Sequence, residues 1–136
     1  MSNYIIKYSL PSPNDYSRLR QACGFGKVSE VKSKQSLKYS LYSISIYSSN
    51  QLIGFGRVLG DGVLYFYISD VMVPSLMQGK KIGRLIMENI IMYINKKTSK
   101  LSTVCTIVMP NKEAFYKNYG LKTCPNNLFG HGMIHP

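Results

Sequence analysis

The sequence is short of acid. Six Asp and Glu stand against 17 Lys and Arg, giving a formal net charge of +11 over 136 residues. Such a balance disfavours polycationic ligands and attracts polyanions, whether nucleic acid, an acidic membrane or a phosphorylated cofactor. The basic residues are nonetheless spread along the chain, and no block of five or more marks a nucleic-acid arm. A solvated, solubilising surface explains the charge equally well. Cysteine is scarce too. Cys23, Cys105 and Cys124 are widely separated and odd in number, which excludes a disulfide framework and shows no metal-ligand spacing. They read as buried small apolar side chains in a reducing compartment. No apolar run reaches membrane-spanning length, and Met1 to Leu10 lacks the basic-then-apolar layout of a signal peptide. A cytoplasmic protein without a membrane partner is expected. There is no internal repeat and no low-complexity linker. With 45% apolar residues, the chain reads as a single domain, residues 1–136, with a packed core.

Periodicity supplies the elements. Asn3 to Ser9 alternates as a strand. Ser12-Pro13-Asn14-Asp15 then starts a helix, with Ser12 as N-cap, Pro13 in the first turn and Asp15 reaching back as in a capping box. That helix runs to about Cys23 and ends at Gly24-Phe25-Gly26. A more polar helix covers Glu30 to Lys38. Strands follow over Tyr39 to Tyr47, Gln51 to Leu59 and Val63 to Val73, divided by Ser48-Ser49-Asn50 and Gly60-Asp61-Gly62. Beyond Pro74, apolar residues at Ile82, Leu85, Ile86, Ile90, Tyr93 and Ile94 cover one face of a helix. Leu101 to Met109 is a strand, Lys112 to Asn118 a short helix closed by Gly120, and Phe129 to Ile134 one more short strand. The order implies an α/β fold, a mixed sheet with helices on both faces.

The stretch from Gln78 to Arg84, between a strand and a helix, suits a phosphate. The first amides of a helix have no intrahelical partner, and the macrodipole makes that end positive. Gly79 and Gly83 let backbone approach a ligand, while Lys80, Lys81 and Arg84 supply charge. An ordinary strand-to-helix connection has the same composition, so the segment alone does not decide.

Two motifs together do more. Val71-Met72-Val73-Pro74, then Gln78-Gly79-Lys80-Lys81-Ile82-Gly83, then an amphipathic helix resembles the central motif of the GNAT acetyltransferases. About 30 residues on, Asn111-Lys112-Glu113-Ala114-Phe115-Tyr116 through Gly120-Leu121 resembles that family's second motif. The resemblance implies a mostly antiparallel mixed sheet splayed at its middle strands. It implies acetyl transfer from acetyl-CoA to a primary amine by direct attack in a ternary complex, with no metal. The implied pantetheine site is the strand end Val71, Met72 and Val73. The implied pyrophosphate site is the segment Gln78, Gly79, Lys80, Lys81, Ile82, Gly83 and Arg84, with Lys81 standing where the family usually has Gly. Asn111 is expected at the pantetheine or acyl region. The Gly-Asp-Gly turn and the strand from Tyr65 to Val73 are most similar to small bacterial members and plastid-type serotonin N-acetyltransferases.

Within that frame Tyr116 is the expected catalytic acid: a phenol of pKa about 10 suits a thiolate whose conjugate acid lies near about 8.5. Asp70, the one carboxylate of the central strand, is a candidate general base or a structural carboxylate; strand parity puts it on one face with Met72, opposite Val71 and Val73. Phe25 and Tyr67 are candidates for the acceptor pocket. His131 and His135 lie in a loose tail without metal spacing and take no role. A non-catalytic acyl-CoA sensor and an acetylating toxin acting on charged tRNA are the alternatives, and monomer and homodimer both stay open.

Overall fold

The computed structural model describes residues 3–136. Five strands form one sheet in the order β1 (Ile5–Lys7), β2 (Tyr42–Ser48), β3 (Gln51–Gly60), β4 (Tyr65–Met72) and β5 (Thr103–Cys105). All neighbours are antiparallel except β4 and β5, which run parallel. Helices α1 (Pro13–Ala22) and α2 (Glu30–Leu37) follow β1, α3 (Ile82–Lys97) connects β4 to β5, and α4 (Glu113–Lys117) follows β5. The expected mixed sheet with helices on both faces is therefore present.

Local chemistry explains the helix starts. The Ser12 hydroxyl accepts the Asp15 amide at 3.1 Å and Pro13 occupies the first turn. Asp15 does not reach back; its carboxylate pairs with Arg18 instead. Ser29 caps α2 in the same way, accepting from the Lys32 amide at 3.2 Å.

Two cores sandwich the sheet. On one face α3 buries Ile82, Ile86, Met87, Ile90 and Ile94 against Ile44, Ile46, Val58, Phe66 and Ile68. On the other, Tyr16, Leu19 and Leu37 from α1 and α2 pack with Leu52, Phe55 and Met72. Glycines bring α3 close to β3. A Cβ at Gly54 would stand 2.8 Å from the Ile82 side chain, and one at Gly56 would stand 2.6 Å from that of Ile86. Neither position tolerates a side chain without moving the helix.

A bulge interrupts β4. Phe55 pairs with Met72 and Arg57 with Ser69, so the same interval spans one residue more on β4 than on β3. The extra residue lies at Asp70, whose φ is +54°, a left-handed conformation that Asp adopts more readily than most side chains. One added residue reverses the facing of everything after it. Phe66 and Ile68 face α3 before the bulge, and Val71 and Val73 do so after it, while Met72 joins the α1 side.

The C-terminal third departs from expectation. β5 covers only Thr103–Cys105 rather than Leu101 to Met109, and residues 129–134 form no strand. Cys105 and Cys124 are exposed and Cys23 is half-buried, so the reading of all three cysteines as buried apolar side chains is corrected. Among the described residues, no helix is long and apolar enough to cross a membrane.

Candidate active site

The parallel pairing of β4 with β5 stops early. Its rungs are Tyr65 with Thr103, Phe66 with Val104 and Tyr67 with Cys105. One side-chain bond continues it, from Thr106 Oγ1 to the Ile68 carbonyl at 2.8 Å. Past that point, among the described residues, the outer edge of β4 has no strand partner. A free strand edge carries unpaired amide and carbonyl groups that an extended ligand can meet as another strand would. Val71, Met72 and Val73 lie on this stretch. The side chains of Val71 and Val73 are committed to the α3-side core and that of Met72 to the opposite one, which leaves their backbone for a ligand.

The chain then turns through a single 3-10 turn, Ser75–Met77, into α3. The Gln78 side chain folds back to donate to the Val73 carbonyl at 3.0 Å, so it ties the loop to the strand end. Gly79 has φ +79° and open space where a Cβ would project. Lys81 caps α3 at φ +66°, and no capping side chain covers the helix start. The first amides of α3, beginning at Ile82, are thus available to an anion. The Ile82 side chain itself is buried in the core. Gly83 is small for a packing reason as well: a Cβ there would stand 3.3 Å from the Phe115 ring of α4. Lys80 and Lys81 are exposed, whereas Arg84 spends its charge on Glu88 at 2.7 Å, one turn along the helix.

Tyr116 lies half-buried on α4, edge-on to Phe115 and packed against the α3-side core. Burial raises its phenol above the ordinary tyrosine value, and the neighbouring Tyr67 adds to the shift. Tyr67 is raised as well, first by burial; the Ile107 backbone draws it down, while Cys105 and Asp70 push it up. Tyr67 occupies the last rung of the β4–β5 pairing, near enough to Tyr116 to raise its phenol, and both stay protonated at neutral pH. Asn111, exposed with φ +67°, precedes α4.

Asp70 is enclosed. Its carboxylate accepts from Arg57 Nε at 2.8 Å, from Arg20 Nη1 at 3.2 Å and from the Tyr16 hydroxyl. Arg57 is buried and reaches further, to the Ser36 carbonyl, the Ser36 hydroxyl and the Ser40 hydroxyl. This network joins α1, the end of α2, β3 and the β4 bulge. Arg20 also donates to the Phe25 carbonyl at 2.9 Å, and its guanidinium lies 5.7 Å from the Phe25 ring. Asp70, Arg20 and Phe25 are thereby linked on the α1 side. Asp70 and Met72 do share that side, as parity requires.

Sequence reasoning overlooked Arg20, Arg57 and Tyr16. The signal was present in β3: a lone arginine inside the apolar run from Leu52 to Leu59, beside a strand carrying one carboxylate. A charge in such a run is buried, and a buried charge demands a partner on an adjacent strand.

The arrangement is that of an α/β protein with a free strand edge leading directly to a helix start whose amides no side chain caps. Residues 16–135 match the family model for the acetyltransferase (GNAT) domain. The chain belongs to the GNAT acetyltransferase family, whose class is that of the acyltransferases. Among curated proteins it is 29% identical over 119 residues to an uncharacterised N-acetyltransferase, ycf52, of Porphyra purpurea, covering 82% of this chain and 67% of that one. It is 27% identical to the chloroplastic serotonin N-acetyltransferase 2 of Oryza sativa subsp. japonica, over 79% of this chain and 54% of the relative. The chain thus spans about two-thirds of the algal relative and about half of the rice enzyme. A protein of unknown function from meticillin-resistant Staphylococcus aureus, described as a "probable acetyltransferase", superposes with a TM-score of 0.88 at 28% identity, covering 98% of this chain and 100% of that one. A GNAT family protein from Streptococcus pneumoniae shares the fold, with a TM-score of 0.82 at 22% identity and 98% of each chain covered.

Proposed function

We propose that this protein transfers an acetyl group from acetyl-CoA to a primary amine by direct attack in a ternary complex. The observation that carries the reading is the free edge of β4, which runs from the last β4–β5 rung at Tyr67 toward the uncapped start of α3, with half-buried Tyr116 on α4 packed against the same core. The residues fit acetyl-CoA. The edge at Val71, Met72 and Val73 offers backbone to the pantetheine amides. The open glycine at Gly79 and the uncapped start of α3 offer amides to the pyrophosphate, and Lys80 and Lys81 offer charge. Gln78 holds that loop against the strand, and Asn111 borders the acyl region.

Bound acetyl-CoA supplies a thioester carbon at which the C–N bond forms as the C–S bond breaks. Tyr116 supplies the proton for the departing sulfur. A phenol kept neutral by burial is loaded for this task up to and through the ordinary tyrosine range. Asp70 does not take the proton that the amine loses: its carboxylate already accepts three hydrogen bonds, two of them from guanidinium groups. That proton goes to water. Tyr67 and Phe25 border the acceptor.

Lys81 provides a test of the cradle. A non-glycine residue in the left-handed region is strained by about 1–2 kcal/mol, and glycine returns part of that gain as backbone entropy. Lys81→Gly is expected to raise stability by about 0.5–1 kcal/mol in urea denaturation. The same change removes a cation from the pyrophosphate site and should weaken acetyl-CoA binding several-fold. A stabilised variant with unchanged affinity would remove the Lys81 side chain from the cofactor site.

The function itself is tested by titrating acetyl-CoA and then following thiol release across a panel of primary amines. Saturable binding with amine-dependent thiol release is expected. Tight binding with no release for any amine would leave a sensor instead of an enzyme.

A further inference from the structure

We infer that the acceptor amine also bears a carboxylate, and that Arg20 binds it; the acceptor role rests on the acetyltransferase reading above. Three observations lead there.

The first is the placement of the acidic side chains. Asp15 pairs with Arg18, and Glu88 with Arg84. Asp61 accepts the amides of Val63, Leu64 and Tyr65 within its own turn. Glu30 and Glu113 stand in the first turns of α2 and α4. Asp70 is the carboxylate of β4 itself, and it is bonded to two arginines. A cationic acceptor approaching on the α1 side therefore meets a carboxylate that is already committed. It meets two guanidinium charges against one carboxylate, a local surplus of positive charge.

The second is where that surplus reaches solvent. The Arg20 side chain is 20% exposed, against 8% for Asp70 and 5% for Arg57. Arg20 commits one terminal nitrogen to Asp70 and the other to the Phe25 carbonyl. Each terminal nitrogen has two hydrogens, so the fork keeps donor capacity beyond these two bonds, although the Tyr16 hydroxyl also draws on it. A charged N–H donor of this kind suits a carboxylate oxygen.

The third is that Arg20 is already held and still undersatisfied. Its guanidinium carbon lies 5.9 Å from the Tyr16 ring and 5.7 Å from the Phe25 ring. A fixed guanidinium loses little freedom when it binds. Its Nε is buried without a hydrogen-bond partner among the described residues. An anion on the outer nitrogens would offset the cost of that partly dried cation.

The test compares pairs that differ in the carboxylate, such as phenylalanine and phenylalaninamide, as acetyl acceptors for the wild type and Arg20→Gln, with kcat/KM expressed per neutral amine because the amide's α-ammonium is the more acidic. The wild type should favour the carboxylate member by about tenfold or more in kcat/KM, and Arg20→Gln should collapse that ratio to near one, mainly through KM. Arg20→Lys should retain part of it. A purely structural Arg20 would lower both members alike and leave the ratio intact. Equal use of both members by the wild type, or an unchanged ratio in the variant, overturns the inference. Calorimetric titration of N-acetylphenylalanine against N-acetylphenylalaninamide covers the case in which no amine is acetylated. Arg20-dependent preference for the acid would then uphold the anion site while the enzymatic reading fails. Equal binding, or none, would overturn both.

Discussion

Tyr116→Phe is expected to slow acetyl transfer about a hundredfold or more, the lower end of what a positioned proton donor contributes, with acetyl-CoA affinity nearly unchanged. The substitution removes one oxygen and keeps the ring that packs against Phe115 and the α3-side core. Any loss of turnover therefore reports on the hydroxyl and not on the fold. The pH dependence sharpens the test. Burial raises the Tyr116 phenol above its ordinary value, so ionisation of this acid occurs above the usual tyrosine range. Wild-type kcat/KM should climb with pH as the acceptor amine becomes neutral and should show no descending limb from Tyr116 below that range. In Tyr116→Phe the climb remains, because it belongs to the amine, but the plateau is lower. A parallel fall in kcat and kcat/KM would mark an interaction made only in the transition state. Turnover equal to that of the wild type would exclude Tyr116 from the chemistry.

Much of this arrangement was legible in the sequence, and the parts that were not have definite causes. Period-2 alternation located β2, the turns on either side bounded β3, and 3.6-residue spacing located α3, which buries one continuous face, whereas β3 is buried on both. The Gly-rich entry to α3 was visible from composition, and its left-handed Lys81 stands where the resemblance expected Gly. The bulge at Asp70 was not visible. The apolar alternation from Phe66 to Val73 reads as an unbroken strand on paper, although the extra residue reverses the facing midway. β5 is shorter than its apolar pattern: its pairing ends at Tyr67 with Cys105, although β4 itself runs on to Met72. The segment from Phe129 to Ile134 holds two glycines in six residues, which weakens a strand, and among the described residues it pairs with no strand of the sheet. The ion cluster was missed because its members are far apart in the chain: Arg20, Arg57 and Asp70 meet only through the fold.

That cluster yields the other large effect. Asp70→Asn should cost about 3–5 kcal/mol of stability, the usual consequence of stranding a buried charge, and lower Tm by about 10 °C or more. Asn tolerates the left-handed φ of +54° at this position, so the backbone of the bulge need not change. What is lost is the charge. Arg57, only 5% exposed, would keep its serine partners but lose its carboxylate. Denaturant unfolding separates this account from a general-base role. A base would cost turnover at constant stability and abolish a limb of the pH profile, whereas an anchor costs stability and leaves turnover of the folded fraction within about tenfold, measured at low temperature. Arg57→Met supplies the second arm. Alone it also destabilises, because Asp70 then depends on Arg20 and Tyr16. Combined with Asp70→Asn it should recover part of the loss, since deleting both members removes the stranded charge instead of creating one. Recovery in the double variant would identify the pair as the clamp that fixes the bulge of β4, and with it the strand edge on which the proposed cofactor site depends. An Asp70→Asn protein within about 1 kcal/mol of wild type and inactive would overturn that assignment and return Asp70 to the chemistry.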